Sequence, residues 1–250
     1  MSGTTPLRHL QIGGTYNVRD IGGYTTTDGR QTRWRTYLRA DSLHKLTQEG
    51  QQELLDTGLK TIIDLRRERE TVKTPNIFAS CDAVDYRHMN LITDTDPDGY
   101  GNPGEGAAWI ARSYKILLDE RKPEIGAIMS TLADPEVVPA LFHCAGGADR
   151  TGIIAALLLS LAGVPEETIA EDYHLTAPTL FTRYSTDGPP PGWSTDDLRR
   201  AQSMDYLAPA ETMRITLDYL TEKYGGVEAY VREIGLTSDQ IEAIRESFVE

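Results

Sequence analysis

Residues 137–163 read VVPALFHCAGGADRTGIIAALLLSLAG, and this stretch decides the fold. The apolar residues at its start predict a buried strand, which we expect to begin near Ala140 because Pro139 would remove a hydrogen bond from a central ladder. Residues 153–162 are almost wholly apolar and predict a buried helix that ends at Gly163. The glycine-containing loop between the two lies where an open α/β sheet binds its ligand.

Strands and helices alternate on both sides of this stretch. The first 40 residues predict short strands and turns, including a β-hairpin, before a helix at about 47–57 and a buried strand at 59–65. A further strand is predicted at 84–91. Further helices are predicted at about 105–121, 123–133, 165–176, 211–223, 227–234 and 238–248. This alternation implies one α/β domain over residues 1–250, with a central, mainly parallel sheet flanked by helices on both faces.

Residues 177–207 interrupt this pattern. The run GPPPG at 188–192 makes this segment the least regular one in the sequence. Long irregular segments in compact domains are often lids or binding loops. We therefore expect residues 177–207 to form a lid insertion over the ligand-binding edge, and we expect this lid and the C-terminal part of the chain to be helical.

Composition limits the classes of function. The chain has 250 residues, and 25 Lys and Arg against 38 Asp and Glu give a net charge of −13. This charge argues against general binding to nucleic acids or anionic membranes, so a phosphate-bearing ligand needs a local positive site. The sequence has no apolar stretch long enough to span a bilayer and no signal-peptide pattern at its start, which predicts a cytoplasmic protein. Cys81 and Cys144 are too few for a disulfide framework or a cysteine-rich zinc site, and we expect no cofactor.

The loop at residues 144–150 has features that suit an anion. Gly146 and Gly147 can adopt backbone angles that let the loop amides converge, and the following helix adds the positive end of its dipole. The same features favour the thiolate form of Cys144, which is the nucleophilic form. Arg150 lies on the first helical turn, where its guanidinium can grip two phosphate oxygens and hold phosphorus in line with the sulfur.

Other interpretations of this loop fit less well. A nucleotide-binding loop of the Walker type is excluded because no Gly-Lys-Ser/Thr follows the glycines, and adjacent His143 and Cys144 do not have metal-ligand spacing. Sulfurtransferases and arsenate reductases can also use a cysteine loop with arginine, but the reductases need further cysteines and only Cys81 remains. An inert buried cysteine is disfavoured by the glycines and Arg150 that follow.

His143-Cys144, five residues and then Arg150-Thr151-Gly152 resemble the signature of the cysteine-dependent protein tyrosine phosphatase superfamily. The wider pattern resembles its bacterial and fungal tyrosine/serine phosphatase-like branch, in a motif order that runs from about residue 8 to the C-terminus. That pattern comprises NVRDIGGY at 17–24, LRADSL at 38–43, and DLR at 64–66 followed by Glu70. The resemblance implies a cysteine-phosphatase fold and metal-free hydrolysis of phosphate monoesters that releases inorganic phosphate.

The resemblance also implies roles for the loop residues. Cys144 would attack phosphorus, and water would hydrolyse the resulting thiophosphate. Arg150 and the loop amides would stabilise the equatorial oxygens in both steps, while the Thr151 hydroxyl would donate a hydrogen bond to the sulfur as it leaves. The substrate-binding amides belong to the loop residues Ala145, Gly146, Gly147, Ala148, Asp149 and Arg150.

The leaving oxygen requires a general acid. Asp149, inside the loop, is the candidate that this branch suggests. Asp94, Asp96 and Asp98 follow the strand predicted at 84–91, where other branches of the superfamily carry their acid. The two possibilities stay open at this point.

Residues outside the loop are expected to support it. His143 would fix the loop from outside, and Asp64 and Arg66 would support the site from the end of a neighbouring strand. Arg66 and Glu70 are expected to form a structural ion pair there. Arg19 and Asp20 are candidates for substrate contact, although Asn17, Arg19 and Asp20 are more often residues that hold a turn and brace nearby loops.

The substrate is not fixed by these motifs. Protein phosphotyrosine, with or without dual specificity, is the family default; a nucleotide or sugar phosphate is the alternative, and a catalytically inactive phosphate-binding module is a third possibility. Many members of the branch, which includes phosphoinositide phosphatases, carry lysine where this chain has Ala148. The missing charge predicts a preference for substrates with a single phosphate.

Overall fold

A central sheet of five strands is found in the part of the chain that the computed structural model describes, residues 7–94, 106–189 and 193–250. Its order is β1-β2-β5-β3-β4, and only the β1–β2 pair is antiparallel. The strand β5 is therefore central, and it begins at Ala140 as expected. The strands are β1 (Arg19–Asp20), β2 (Tyr37–Ala40), β3 (Thr61–Asp64), β4 (Asp85–His88) and β5 (Ala140–His143).

Neighbouring residues of the three inner strands point to opposite faces of the sheet and pack into two separate cores. Both faces are covered, which confirms the α/β class expected from the alternating pattern. Leu38, Ile62 and Leu141 belong to the smaller core, and Tyr37, Ile63 and Phe142 belong to the larger one.

The helices agree with the sequence expectations at most positions. Thr47 caps α1 by accepting a hydrogen bond from the Gly50 amide, so the helix expected at about 47–57 begins one residue later, at Gln48. The helices are α1 (Gln48–Leu55), α2 (Glu68–Lys73), a 3-10 turn (Ile77–Ser80), α3 (Ala107–Glu120), α4 (Lys122–Leu132), α5 (Asp149–Leu161), α6 (Glu166–His174), α7 (Thr176–Asp187), α8 (Thr195–Arg200), α9 (Met204–Leu207), α10 (Ala210–Tyr224), α11 (Val227–Glu233) and α12 (Ser238–Phe248). None of these helices is long and apolar enough to cross a membrane.

Helix α5 connects the sheet to the site. Its apolar residues 153–159 are all buried, as the sequence predicted, but the helix begins at Asp149, four residues earlier than the apolar run. Ala148 precedes it without a side-chain cap, so none of the first-turn amides is bonded by a capping side chain. The end of the loop is therefore already the first turn of this helix.

Most of the described part of residues 177–207 is helical, which agrees with the expected helical lid segment, although the segment was also expected to be the least regular one. Pro178 lies in the first turn of α7, where its missing N–H removes no helical hydrogen bond. Helix α7 ends at Asp187, with Gly188 in a left-handed conformation at its C-cap, and residues 190–192 lie outside the described range. Trp193 then packs against Tyr184 of α7, with the ring centroids 5.2 Å apart.

Candidate active site

A cavity of about 460 Å³ opens at the carboxyl end of β5. Cys144, which is only 2% exposed, lines it together with the loop that follows. Side chains from α7 form part of the wall, and two basic residues after β2 line it as well. These wall residues are Leu180, Arg183 and Tyr184 on α7, and His44 and Lys45 after β2.

The loop carbonyls accept hydrogen bonds from side chains outside the loop. In a trans peptide the N–H of the next residue points away from the carbonyl, so these bonds turn the loop amides away from their donors. Such amides are available to an anion. The bonds run from Arg183 Nη1 to Ala145 O (2.5 Å), from Asn17 Nδ2 to Gly146 O (3.1 Å) and from Arg39 Nη2 to Gly147 O (2.8 Å).

Gly147 shows why the sequence needs glycine in this loop. Its φ is +68°, and a Cβ atom at this position would lie 2.6 Å from the carbonyl oxygen of Ala40 on β2. A side chain would therefore both strain the backbone and push the loop off the sheet. The glycine lets the loop lie directly against the neighbouring strand.

His143 holds a fourth loop carbonyl. The Asn76 carbonyl oxygen accepts from the Phe78 amide, which leaves the Asn76 NH₂ group to donate to Nε2 of His143 at 2.8 Å. Burial lowers the pKa of His143, so the ring is neutral and its proton is on Nδ1. Nδ1 then donates to the Cys144 carbonyl at 3.1 Å.

Arg150 lines the cavity and is already oriented by a carboxylate. Its Nη1 and Nη2 atoms donate to the two oxygens of Glu70 at 2.7 and 3.1 Å. Glu70 in turn accepts from the Arg67 amide at the start of α2, so the helix fixes its position. Although burial opposes charge on both groups, the pair lowers the pKa of Glu70, and Cys144 and Glu70 together raise the pKa of Arg150.

The expected ion pair between Arg66 and Glu70 was therefore wrong. Arg66 turns back onto Asp64, with 2.6 Å between Nη2 and Oδ2, and its Nη1 donates to Ser42 Oγ. Although burial opposes it, the neighbouring His143 and Arg66 together keep the pKa of Asp64 below its usual value. The pair ties the end of β3 to the segment after β2.

Asp149 lines the cavity beside Arg150, and its Oδ1 accepts a hydrogen bond from the Tyr114 hydroxyl at 2.8 Å. Burial raises the pKa of Asp149, which favours the protonated form that an acid needs. Asp94 lies elsewhere: it is exposed, does not line the cavity and pairs with Arg69. Asp96 and Asp98 lie outside the described residues.

Thr151 places a hydroxyl inside the protein. Its Oγ1 is buried and has no hydrogen-bond partner among the described residues. An unpaired buried hydroxyl is costly, so a partner that forms only during the reaction is a physical reason to keep it.

Arg19 and Asp20 do not line the cavity. Arg19 is buried and donates to Asp172 Oδ1 at 3.3 Å and to Thr176 Oγ1 at 3.0 Å. Asp20 accepts from backbone amides of the N-terminal hairpin. Their contacts brace loops of the protein itself, so the structure does not bring these two substrate-binding candidates to the site.

Tyr114 and Arg183 carried no signal in the sequence analysis, because they stand alone in their helices with no spacing pattern that marks them. Arg39 lies inside a quoted motif, which was the available clue to its contact with the loop. Asn17 was expected to brace nearby loops, and its contact with the Gly146 carbonyl agrees with that expectation. Within the described residues, no group of three or more His, Cys, Asp or Glu side chains is arranged to hold a metal ion.

Comparison with known proteins gives consistent matches over most of the chain. Residues 10–250 match the model of a family described as the tyrosine phosphatase family. A tyrosine-protein phosphatase from Nostoc commune is 28% identical over 222 residues, which cover 84% of this chain and 72% of that protein. The triple specificity protein phosphatase PtpB of Mycobacterium tuberculosis is 25% identical over 281 residues, covering 94% of this chain and 97% of that protein.

Proposed function

The chain belongs to the tyrosine phosphatase family and is therefore a phosphoric monoester hydrolase, and from this premise we propose that it works through a thiophosphate on Cys144. One observation carries the proposal: Cys144, Arg150 and Asp149 line one cavity, and the carbonyls of the loop between them are held by outside donors. A nucleophile, an anion clamp and an acid thus surround one space.

In the first step the Cys144 thiolate attacks phosphorus while the bond to the leaving oxygen breaks. Glu70 occupies one edge of the Arg150 guanidinium through Nη1 and Nη2. The Nε–H and the second Nη2–H remain as a parallel pair of donors for two phosphate oxygens. Arg150 can therefore bind phosphate without releasing Glu70.

Proton transfer accompanies both steps. Protonated Asp149 gives its proton to the leaving oxygen and becomes a carboxylate. In the second step that carboxylate takes a proton from the water that attacks phosphorus, which restores the acid. Thr151 donates to the departing sulfur, and inorganic phosphate leaves the loop.

Phosphotyrosine in proteins is the proposed substrate. Two relatives are named as phosphatases of tyrosine or of triple specificity, and the cavity has an apolar and aromatic wall that suits an aryl ring. Leu180, Tyr184 and Leu207 contribute to that wall. A nucleotide or sugar phosphate is the second candidate, supported by the basic residues Lys45 and Arg183 that also line the cavity.

A turnover screen tests the proposal. One purified preparation is assayed on phosphotyrosine and phosphoserine peptides, nucleotides, sugar phosphates and phosphoinositides, with and without EDTA. Cys144→Ser should abolish turnover on all of them and leave vanadate or phosphate binding largely intact, while Cys81→Ser, the matched control, should keep full activity. An active Cys144→Ser variant, or loss of activity with EDTA, would contradict the mechanism.

The segment 177–207 is proposed to act as a cover, because α7 and α9 contribute to the cavity wall. Ligand-induced closure of such a segment protects its backbone from proteases. Limited proteolysis with cleavage sites mapped within 177–207 should be slower with vanadate in the loop. Equal cleavage rates with and without vanadate would contradict a cover.

A further inference from the structure

Two buried tyrosines connect the Asp149 carboxyl to the centre of the helical core. The Tyr114 hydroxyl on α3 lies 2.8 Å from Asp149 Oδ1, and the Tyr173 hydroxyl on α6 lies 2.7 Å from that of Tyr114. Both tyrosines are at most 1% exposed. Three polar groups from three helices thus form one buried hydrogen-bonded chain that ends in the cavity.

The donor and acceptor roles in this hydrogen-bonded chain follow from the acceptor at its end, Oδ1 of Asp149. Oδ1 of Asp149 accepts, so the Tyr114 hydroxyl proton points to it, and Tyr173 must then be the donor to the Tyr114 oxygen. Burial, together with the charge of Asp149, raises the pKa of both tyrosines well above the usual value of 10. They therefore stay protonated and keep this direction across the working pH range.

Gly152 allows the chain to reach the loop. A Cβ atom on Gly152 would lie 3.0 Å from the ring of Tyr173, closer than ordinary packing allows. The missing side chain lets the ring lie against the first turn of α5, and the Tyr114 and Tyr173 rings meet edge to face at 6.1 Å. The arrangement is packed on both sides and leaves the hydroxyls little freedom.

We propose that Tyr114, which is held by a hydrogen bond to Tyr173, is a positioning residue: by bonding Oδ1 of Asp149 it leaves Oδ2 as the oxygen that carries the acid proton. This inference rests on Asp149 being the general acid of the proposed function. Tyr114 occupies Oδ1, so the acid proton is carried by Oδ2, the oxygen left to face the leaving group. When Oδ2 gives up its proton, the hydrogen bond from Tyr114 stabilises the carboxylate that forms.

Other charged and titratable groups also act on this carboxyl. Arg150 favours its charged form, against burial, which is the larger effect. Removing the Tyr114 hydroxyl therefore changes one contribution among several and should shift the titration of Asp149 without abolishing it. The groups that face Asp149 are Tyr114 on α3, Tyr173 on α6, Arg150 on α5, Cys144 in the loop, and Arg183 and Tyr184 on α7.

The test compares pH profiles of kcat/KM, which reports on the steps up to thiophosphate formation. Tyr114→Phe removes a hydrogen bond to the charged form, so the basic limb of the profile should move up by about one pH unit. Tyr173→Phe should move it the same way by less. Tyr230→Phe is the matched control, since its buried hydroxyl also bonds α3, at the Leu118 carbonyl (2.8 Å), and it should leave the limb in place.

Two aryl phosphates provide the second readout. Phenol leaves as a poorer leaving group than p-nitrophenol and needs the acid more, so Tyr114→Phe should lower kcat/KM about tenfold for phenyl phosphate and much less for p-nitrophenyl phosphate. A purely structural defect would lower both alike and leave the limb unmoved, and that result would overturn the proposal.

Asp149→Asn separates this inference from the mechanism it rests on. If Asp149 is the acid, the basic limb disappears in this variant. A limb that persists in Asp149→Asn would refute the acid assignment and the role of Tyr114 together. A limb that vanishes there but is unmoved in Tyr114→Phe would refute the role of Tyr114 alone.

Discussion

Two aspartates near the loop at residues 144–150 have pKa values that are shifted in opposite directions. Asp172 on α6 accepts from Arg19 and from Arg39, whose Nη1 lies 2.6 Å from Oδ2. Although burial opposes it, these guanidiniums lower the pKa of Asp172 to about 2. Asp149 instead meets a neutral hydroxyl, and burial raises its pKa.

The comparison teaches that burial alone does not decide the charge of a carboxyl. Burial acts against the charged form of both carboxyls, and Arg39 links Asp172 to the loop through the Gly147 carbonyl. Paired cations favour the charged form of Asp172, while burial, opposed by the Tyr114 hydroxyl and by Arg150, favours the neutral form of Asp149 that the proposed acid role needs. The predictions below test this division.

The largest expected effect is on catalysis. Asp149→Asn should lower kcat/KM for phenyl phosphate by roughly 10²- to 10⁴-fold, because the leaving oxygen loses its proton donor. Its thermal stability should not fall, since a neutral amide replaces a group that burial already disfavours in its charged form. Steady-state kinetics and calorimetry on the same preparation measure both. A fully active variant would assign the acid elsewhere.

Asp172→Asn should act mainly on stability. It leaves two buried guanidiniums without their carboxylate, and breaking a buried pair in this way costs about 3–5 kcal/mol of unfolding free energy. Urea unfolding at pH 7 measures the loss, and Asp218→Asn, at an exposed position on α10, is the matched control. A loss as small as that of the control would show that the network contributes little.

The two carboxyls should also give opposite pH dependences of stability. The folded pKa of Asp172 is lowered, so its stabilising contribution, about 2 kcal/mol, is present above its unfolded pKa and is lost as the pH falls from about 4 toward 2. The folded pKa of Asp149 is raised, so its contribution is full below its unfolded pKa and is lost as the pH rises through the folded value.

Unfolding free energies of wild type and each Asn variant, measured from pH 3 to pH 8, test these signs. The difference between wild type and Asp172→Asn should grow with pH, and the difference between wild type and Asp149→Asn should shrink. If both differences changed with pH in the same way, the two aspartates would not have oppositely shifted pKa values, and the comparison would be wrong.

The smallest effect is expected from Ala148→Lys, which gives Asp149 a neighbouring cation of the kind that Asp172 has. The basic limb of the kcat/KM profile should move down by about half a pH unit, since a nearby positive charge favours the carboxylate. At low salt the added charge should also raise kcat/KM for phosphoinositide head groups more than for an aryl monophosphate. Equal changes for both substrates would show that this position does not set selectivity.

The sequence predicted what lies in one contiguous stretch. The strand, loop and helix from Ala140 to Leu161 could be predicted because apolar runs and glycines are local signals in the sequence. Most contacts made to the loop by residues from distant elements could not be predicted. Arg66 was paired with Glu70 because both residues follow β3, whereas Glu70 pairs with Arg150. In residues 177–207 the Gly/Pro run gave no bounds for the helices α7, α8 and α9.

The outward-turned loop carbonyls have a consequence for protein engineering. The conformation of the signature at residues 142–152 depends on contacts with other parts of the protein. Its carbonyls accept hydrogen bonds from Asn17, Arg39, His143 and Arg183, and Gly147 packs against the Ala40 carbonyl of β2. Transplanted into another strand–loop–helix unit, the same eleven residues would keep His143 but lack the three donors Asn17, Arg39 and Arg183, and the carbonyls that these donors hold would be free to turn inward. The motif is therefore not a portable module, and a graft must include the residues that shape it.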